Sequence, residues 1–261
     1  MKGKATEREA YTICRGLLER CYQGRRTDFI QQLLDRQARG LPTLVVTANP
    51  ECLAYAVAHE DYHALLCRSE TELVADGVGL LRMAALLGRR PEERIPGVEL
   101  LPELLDRAAA GRRVALLGAK PEVLRALEEV FHQRWPQHKL VFSVDGYQPE
   151  REALMAQVQE SRPDFLFVAL GMPEQERLIA RHIAGLPACV AVGVGGSFDV
   201  LSGHKKRAPR IFTRLGLEWL YRILAEPQRL GRFWRNNVQI YRHWRRQHRR
   251  YAQDYSPSRQ A

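Results

Sequence analysis

The chain has 261 residues, 45% of them hydrophobic and 27% charged, with a formal net charge of +10. That composition suits a globular chain with a sizeable core and excludes collagen-like and wholly disordered architectures. Its five cysteines (Cys14, Cys21, Cys52, Cys67, Cys189) include no C-x-x-C pair, which argues against a disulfide framework or a thiolate zinc cluster and for a reducing compartment.

In chain order, a helical pattern over Ala5–Arg39, split near Gly24, precedes a strand at Thr43–Val46. A single helix is expected over Glu51–Cys67, then a strand at Glu72–Ala75 ending on Asp76-Gly77, and a helix over Val78–Leu87. Past the loop PEERIPG come a helix at Leu100–Ala110, a strand at Val114–Leu117 and a helix from Pro121. The order continues with strand Lys139–Val144, helix Pro149–Glu160, strand Asp164–Leu170, helix Glu174–Ala184 and strand Ala188–Val194. Strands that are apolar without alternation belong to a parallel sheet covered on both faces. The fold class is therefore α/β, a Rossmann-like, mostly parallel sheet with helices on both faces, followed by a basic helical appendage.

Charge divides the chain unevenly. From His204 onward there are 15 Lys and Arg against Glu218, Glu226 and Asp254, a net of +12, which leaves −2 for residues 1–203. Residues 1–203 form the expected α/β domain, 204–252 a basic amphipathic appendage and 253–261 a disordered tail. Such asymmetry asks for a polyanionic partner, an anionic membrane surface or a nucleic acid. The opening MKGKATEREAYT lacks a signal-type apolar segment, and no apolar run nears the ~18 residues a span requires, so an intracellular chain that spans nothing is expected.

In open parallel sheets ligands bind beyond the carboxyl ends of the strands. The residues there are Thr47-Ala48-Asn49, Asp76-Gly77, GMPEQE with Gln175, and GVGGSFD with Gly195 and Gly196; the loop carrying Arg94 completes the set. An Asp-Gly pair also serves as an ordinary turn, and the glycines as a tight turn rather than a cradle for phosphate or ribose. Neither a G-x-G-x-x-G fingerprint nor a P-loop is present, and there is no D-x-D to bridge a metal to a diphosphate. His59-Glu60-Asp61-Tyr62-His63 matches H-E-x-x-H, with Cys52 and Cys67 available to share the face. The metzincin continuation fails at Leu66 and Ser69, so these are read as two histidines on an ordinary amphipathic helix and no metal site is expected.

The ordered set T-x-N-P-E, A-D-G-x-G, E-R-x-x-G-x-E-L-L, Leu170-Gly171-Met172-Pro173-Glu174-Gln175-Glu176, G-V-G-x-x-F-D, R-A-P and G-L-E-W-L-Y-R-x-x-x-E-P-x-R, running from about Thr43 to Arg232, resembles the WecG/TagA/CpsF family, glycosyltransferase family 26. The resemblance implies an inverting transferase that moves a sugar, typically N-acetylmannosamine, from a UDP donor to N-acetylglucosamine on a polyprenyl diphosphate, in wall teichoic acid, common antigen or exopolysaccharide synthesis. It implies Asp76 as the catalytic base, Thr47 and Asn49 as ligands of sugar or acceptor, Arg94 as the holder of the leaving diphosphate and Gln175 as a donor ligand. It also implies that Arg222, Arg229 and Arg232 meet the lipid diphosphate. No divalent cofactor is expected, with Asp145 and Asp199 the fallback ligands. Glu174 stands where the family commonly has Lys and Gln148 where it commonly has Phe, which bears on the donor sugar: relatives also handle glucose, glucuronic acid or galactose.

After Pro227, Leu230, Phe233, Trp234, Val238, Tyr241 and Trp244 fall on one helical stripe among many arginines. This reads as an interfacial element on the inner face of the cell membrane, removable without much loss of domain stability. The alternative is a nucleic-acid-binding protein whose Trp234, Tyr241 and Trp244 stack on bases. Homo-oligomerisation stays open.

Overall fold

The computed structural model describes residues 5–209, 212, 220–221, 224 and 230–255, by backbone alone at 232, 233 and 235–237. Two helices, α1 (Glu7–Arg20) and α2 (Arg26–Ala38), lead into β1 (Thr43–Ala48), α3 (Pro50–Ala58), α4 (Glu60–Leu66), β2 (Thr71–Ala75), α5 (Val78–Leu86) and α6 (Gly97–Arg107). The second half runs β3 (Arg113–Gly118), α7 (Pro121–Arg134), β4 (Lys139–Val144), α8 (Arg151–Glu160), β5 (Phe165–Ala169), α9 (Glu174–His182), β6 (Val190–Gly193) and α10 (Ser197–Leu201). Near the C-terminus α11 (Leu230–Phe233) passes through a π-helical stretch, Trp234–Gln239, into α12 (Ile240–Tyr251).

All six strands lie in one sheet in the order β2-β1-β6-β5-β3-β4, and every pairing is parallel. Parallel strands need crossovers, and the helices supplying them cover both faces. The side chains sort by period two. Leu44 and Val46 of β1 with Leu166 and Val168 of β5 face the layer of α1, α3, α4, α5, α8, α9 and α12. Val45, Phe165 and Phe167 face α2, α6, α7 and α10. Both sets are buried, so the central strand β5 meets helices on both faces.

Two expected elements differ. Glu51–Cys67 is not one helix: His59 is extended (φ −133°, ψ 101°) and ends α3 while starting α4. The C-terminal stripe does not stay on one face. A π turn winds less per residue than an α turn, so an apolar set spaced for α periodicity drifts around the axis across Trp234–Gln239. Leu230 and Trp234 are exposed, whereas Trp244 is buried.

The burial of Trp244 is also what corrects the view of the tail as dispensable. Its ring stacks on Tyr11 of α1 with centroids 5.0 Å apart, and its Nε1 donates to the carbonyl of Met83 in α5 (3.1 Å). Gln247 donates to the carbonyl of Glu7, and Tyr11 meets His248 Nδ1 at 3.1 Å. Gln253–Tyr255, expected to be disordered, lie in a 3-10 turn, with the Tyr255 hydroxyl 2.5 Å from Thr12 Oγ1. α12 is thus part of the core layer that α1 belongs to. Trp244→Ala should lower the unfolding free energy by about 3–5 kcal/mol, as truncating a large buried aromatic does. Removing α12 altogether should cost more, and denaturant unfolding measures both.

Candidate active site

The carboxyl ends of β2, β1, β6 and β5 are neighbours, so the residues that follow these four strands share one edge. Ala48 pairs with Ala75 and Val46 with Gly193, which aligns the ends of β1, β2 and β6. Asp76 is half-buried, directly after β2, and its N–H donates to the carbonyl of Ala48 (3.0 Å). Arg94 is brought beside it by the next residue: the N–H of Ile95 donates to the carbonyl of Ala75 (2.7 Å). A return loop therefore brings the backbone of Arg94 and Ile95 to the end of β2, although α5 separates Arg94 from Asp76 in the sequence. Nη2 of Arg94 lies 3.7 Å from Glu99 in the first turn of α6.

Thr47 and Asn49 reach the same edge with part of their polarity already used. Thr47 Oγ1 donates to the carbonyl of Gly193 (3.2 Å), tying β1 to β6. Asn49 is the N-cap of α3, its Oδ1 accepting the N–H of Cys52 (2.9 Å). That cap holds the Asn49 side chain at the mouth of the crevice and fixes how α3 leaves β1.

Gln175 is placed differently from a ligand in an open cleft. It is buried under the loops after β5 and β6, where its Oε1 accepts the N–H groups of Gly171 (3.1 Å) and Gly195 (3.0 Å). Its Nε2 donates to Glu176 Oε1 (2.7 Å). One amide thus clasps the two loops together. Gly193 leaves room for it, since a Cβ there would lie 2.6 Å from Gln175 Nε2. Gly195 (φ +49°) then turns the chain with Gly196 into α10. The carboxyl of Glu176 is buried, which raises its pKa, with the hydrogen bond from Gln175 opposing the shift. Tyr62, whose hydroxyl is 3.5 Å from Cys52 Sγ, is likewise shifted upward by burial. Burial pushes the Cys52 thiol up to about 12, so it is not a nucleophile at neutral pH.

The H-E-x-x-H match dissolves in three dimensions. His59 stacks on Tyr55 at the helix break (3.9 Å between centroids), while His63 Nε2 meets Cys67 Sγ at 3.4 Å. Cys52 is buried and Cys67 exposed, so they share no face. Among the described residues no group of three or more His, Cys, Asp or Glu could hold a metal ion. Asp145 accepts from its own loop, from the Tyr147 N–H and the Gln148 amide, and Asp199 pairs with Lys205 at 3.3 Å. Arg222 and Arg229 lie outside the described residues; Arg232 falls in α11, described by backbone alone.

A six-stranded parallel sheet with polar residues following its strands at one carboxyl edge defines an α/β protein of the class that binds ligands at that edge. Residues 20–254 match the glycosyl transferase WecG/TagA/CpsF family, and the chain belongs to it. The curated relatives include the N-acetylglucosaminyldiphosphoundecaprenol N-acetyl-beta-D-mannosaminyltransferases of Staphylococcus aureus strains NCTC 8325 / PS 47, COL and MRSA252. Each is 39% identical over 189 residues, covering 72% of this chain and 74% of the relative.

Sequence reasoning passed over the pairing of Gln175 with Glu176 and the part played by Glu99. Both stand inside the quoted motifs, P-E-Q-E and G-x-E-L-L, but only tertiary contacts reveal what they hold. The buried acid carries a pH signature. Because its folded pKa lies above the ordinary 4.5, its contribution to stability is present in acid and is lost as pH rises through the folded value. Glu176→Gln should therefore gain stability relative to the native chain between pH 5 and pH 8, measured by denaturant unfolding at both.

Proposed function

We propose that the chain transfers N-acetylmannosamine from a UDP donor to N-acetylglucosamine on undecaprenyl diphosphate, the transferred sugar and the acceptor being those in the name of its Staphylococcus aureus relatives. The observation that supports the assignment of roles is the Ile95–Ala75 hydrogen bond, which brings the loop bearing Arg94 to the strand end that Asp76 follows. In an inverting displacement the acceptor hydroxyl attacks the anomeric carbon as the bond to the diphosphate breaks. Asp76 takes the hydroxyl proton, and the departing UDP keeps the bonding electron pair. Arg94 meets the charge that grows on the diphosphate, for which a planar guanidinium offers paired donors. Asn49 and Thr47 bind sugar or acceptor hydroxyls, while Gln175 acts through the shape of the two glycine loops.

The acceptor is anchored in a bilayer, and the chain has features to meet one. Among the described residues no helix is long and apolar enough to cross a membrane. Arg242, Arg245, Arg246 and Arg249 of α12 are exposed, and Leu230 and Trp234 present apolar surface on the adjoining turns. Docked on α1, such a helix binds peripherally to the inner, anionic face, with its basic side chains contributing about 1 kcal/mol each near the surface. Arg222, Arg229 and Arg232 complete the acceptor site. Of the three rings in the competing nucleic-acid reading, Trp234, Tyr241 and Trp244, the last is buried against Tyr11 and offers no face to a base.

Asp76→Asn should reduce turnover by ~10²–10⁴-fold while UDP affinity and the unfolding midpoint hold. Near-native turnover would remove Asp76 from the role of base. With no D-x-D and an arginine to neutralise the leaving group, acceptor-dependent UDP release should continue in excess chelator. Activity restored only by magnesium or manganese would contradict that.

A further inference from the structure

The carboxylate of Glu99 collects three guanidinium groups. Oε2 takes Nη1 of Arg26, while Oε1 is shared by Nη2 of Arg94 (3.7 Å) and Nη2 of Arg207. The three arginines come from distant parts of the chain: α2, the loop that returns to Asp76, and the segment that follows α10. Arg26 is the inner member. It also pairs with Glu103 (2.7 Å) and Glu93 (3.7 Å), so its charge is met on the α2 side and its grip orients the Glu99 carboxylate. Arg207 is the outer member, with 42% of its side chain exposed.

The position of this cluster is set by backbone contacts. Ile95 is bonded to the end of β2, and Gly97 lies so close to the loop after β6 that a Cβ would sit 3.3 Å from Val194 Cα. Glu99, in the first turn of α6, is thereby held near the ends of β2 and β6. The segment bearing Arg207 is held along the same edge, since the N–H of Lys205 donates to the carbonyl of Asp199 (2.7 Å) and Ala208 is buried. Each guanidinium carries its N–H donors in a rigid planar fork. A diphosphate, with its several anionic oxygens, is the ligand chemistry that such a pair of forks fits.

We infer that Arg207 is a second diphosphate-binding residue, set beside Arg94 by the Glu99 carboxylate they share. The inference rests on the proposed transferase reading, which brings two diphosphates to this edge, one in the UDP-sugar and one in the lipid acceptor.

The test uses the full chain and inorganic pyrophosphate as the probe in titration calorimetry, with UDP affinity and the KM for the lipid acceptor measured alongside. Arg207→Gln should weaken pyrophosphate binding by about tenfold or more, the loss expected of one charge-assisted contact. Arg207→Lys, which keeps the charge without the fork, should fall between. Arg25→Gln, which breaks only the exposed pair with Glu92, should bind as the native chain does. A parallel fall in UDP affinity assigns Arg207 to the donor; unchanged UDP affinity with a raised acceptor KM assigns it to the acceptor. Unaltered pyrophosphate affinity in Arg207→Gln at a native unfolding midpoint overturns the inference and leaves the transferase reading intact. If that variant unfolds early, unaltered affinity in Arg207→Lys does the same. A native chain that neither binds UDP nor transfers the sugar overturns both.

Discussion

Parallel pairing across the middle of the sheet is the constraint on which the site depends. A parallel sheet sends all its carboxyl ends to one edge, so residues separated by whole helices become neighbours with no long loop to arrange them. The order β2-β1-β6-β5 does this for Asp76, Asn49, Gly195 and Gly171. A one-residue slip would exchange the two faces of a strand and bury the wrong side chains. Packing on both sides of the sheet is thus also what fixes the register of the chemistry.

Within that frame the polar residues divide into those that face the crevice and those that hold its walls. In the proposed mechanism Asp76 and Arg94 belong to the first kind. Gln175 belongs to the second: an amide that accepts from two glycine N–H groups and donates to a buried acid sets loop shape. Asn49 stands between the two, capping α3 with its oxygen while remaining half-buried at the mouth. Building walls from buried amide bonds is costly to disturb, since each orphaned donor or acceptor forfeits its full desolvation energy. A substitution at Gln175 can therefore cost activity without touching a substrate.

Much of this was legible in the sequence, for a physical reason. Strands buried on both faces show as unbroken apolar runs, and the residues that end them, Asn49, Asp76 and Gly193, mark the ligand edge before any fold is known. The break at His59 was not legible, because the amphipathic pattern of α3 continues into α4 with neither Gly nor Pro between them. The stripe in the tail announced an apolar helical face but not its partner. Periodicity states that something must cover Trp244; it does not state that Tyr11 does. Gln175 was identified by type and place, while its burial arises from α9 packing beneath the β5 and β6 loops. The convergence of Arg26, Arg94 and Arg207 on Glu99 joins three separate segments, of which only the one holding Arg94 and Glu99 forms a local motif.

The stacking of Tyr11 on Trp244 has a further consequence for how the molecule is made. α1 is synthesised well before α12, whose Trp244 ring covers its apolar face. Domains fold as units during synthesis, and contacts of large sequence separation are slow to close because of the loop entropy they must overcome. Here the sheet can assemble up to β6 while α1 still presents Tyr11 uncovered. A nascent chain stalled before α12 would thus expose a sticky aromatic patch, and it is such unfinished chains, rather than the finished enzyme, that a chaperone would meet.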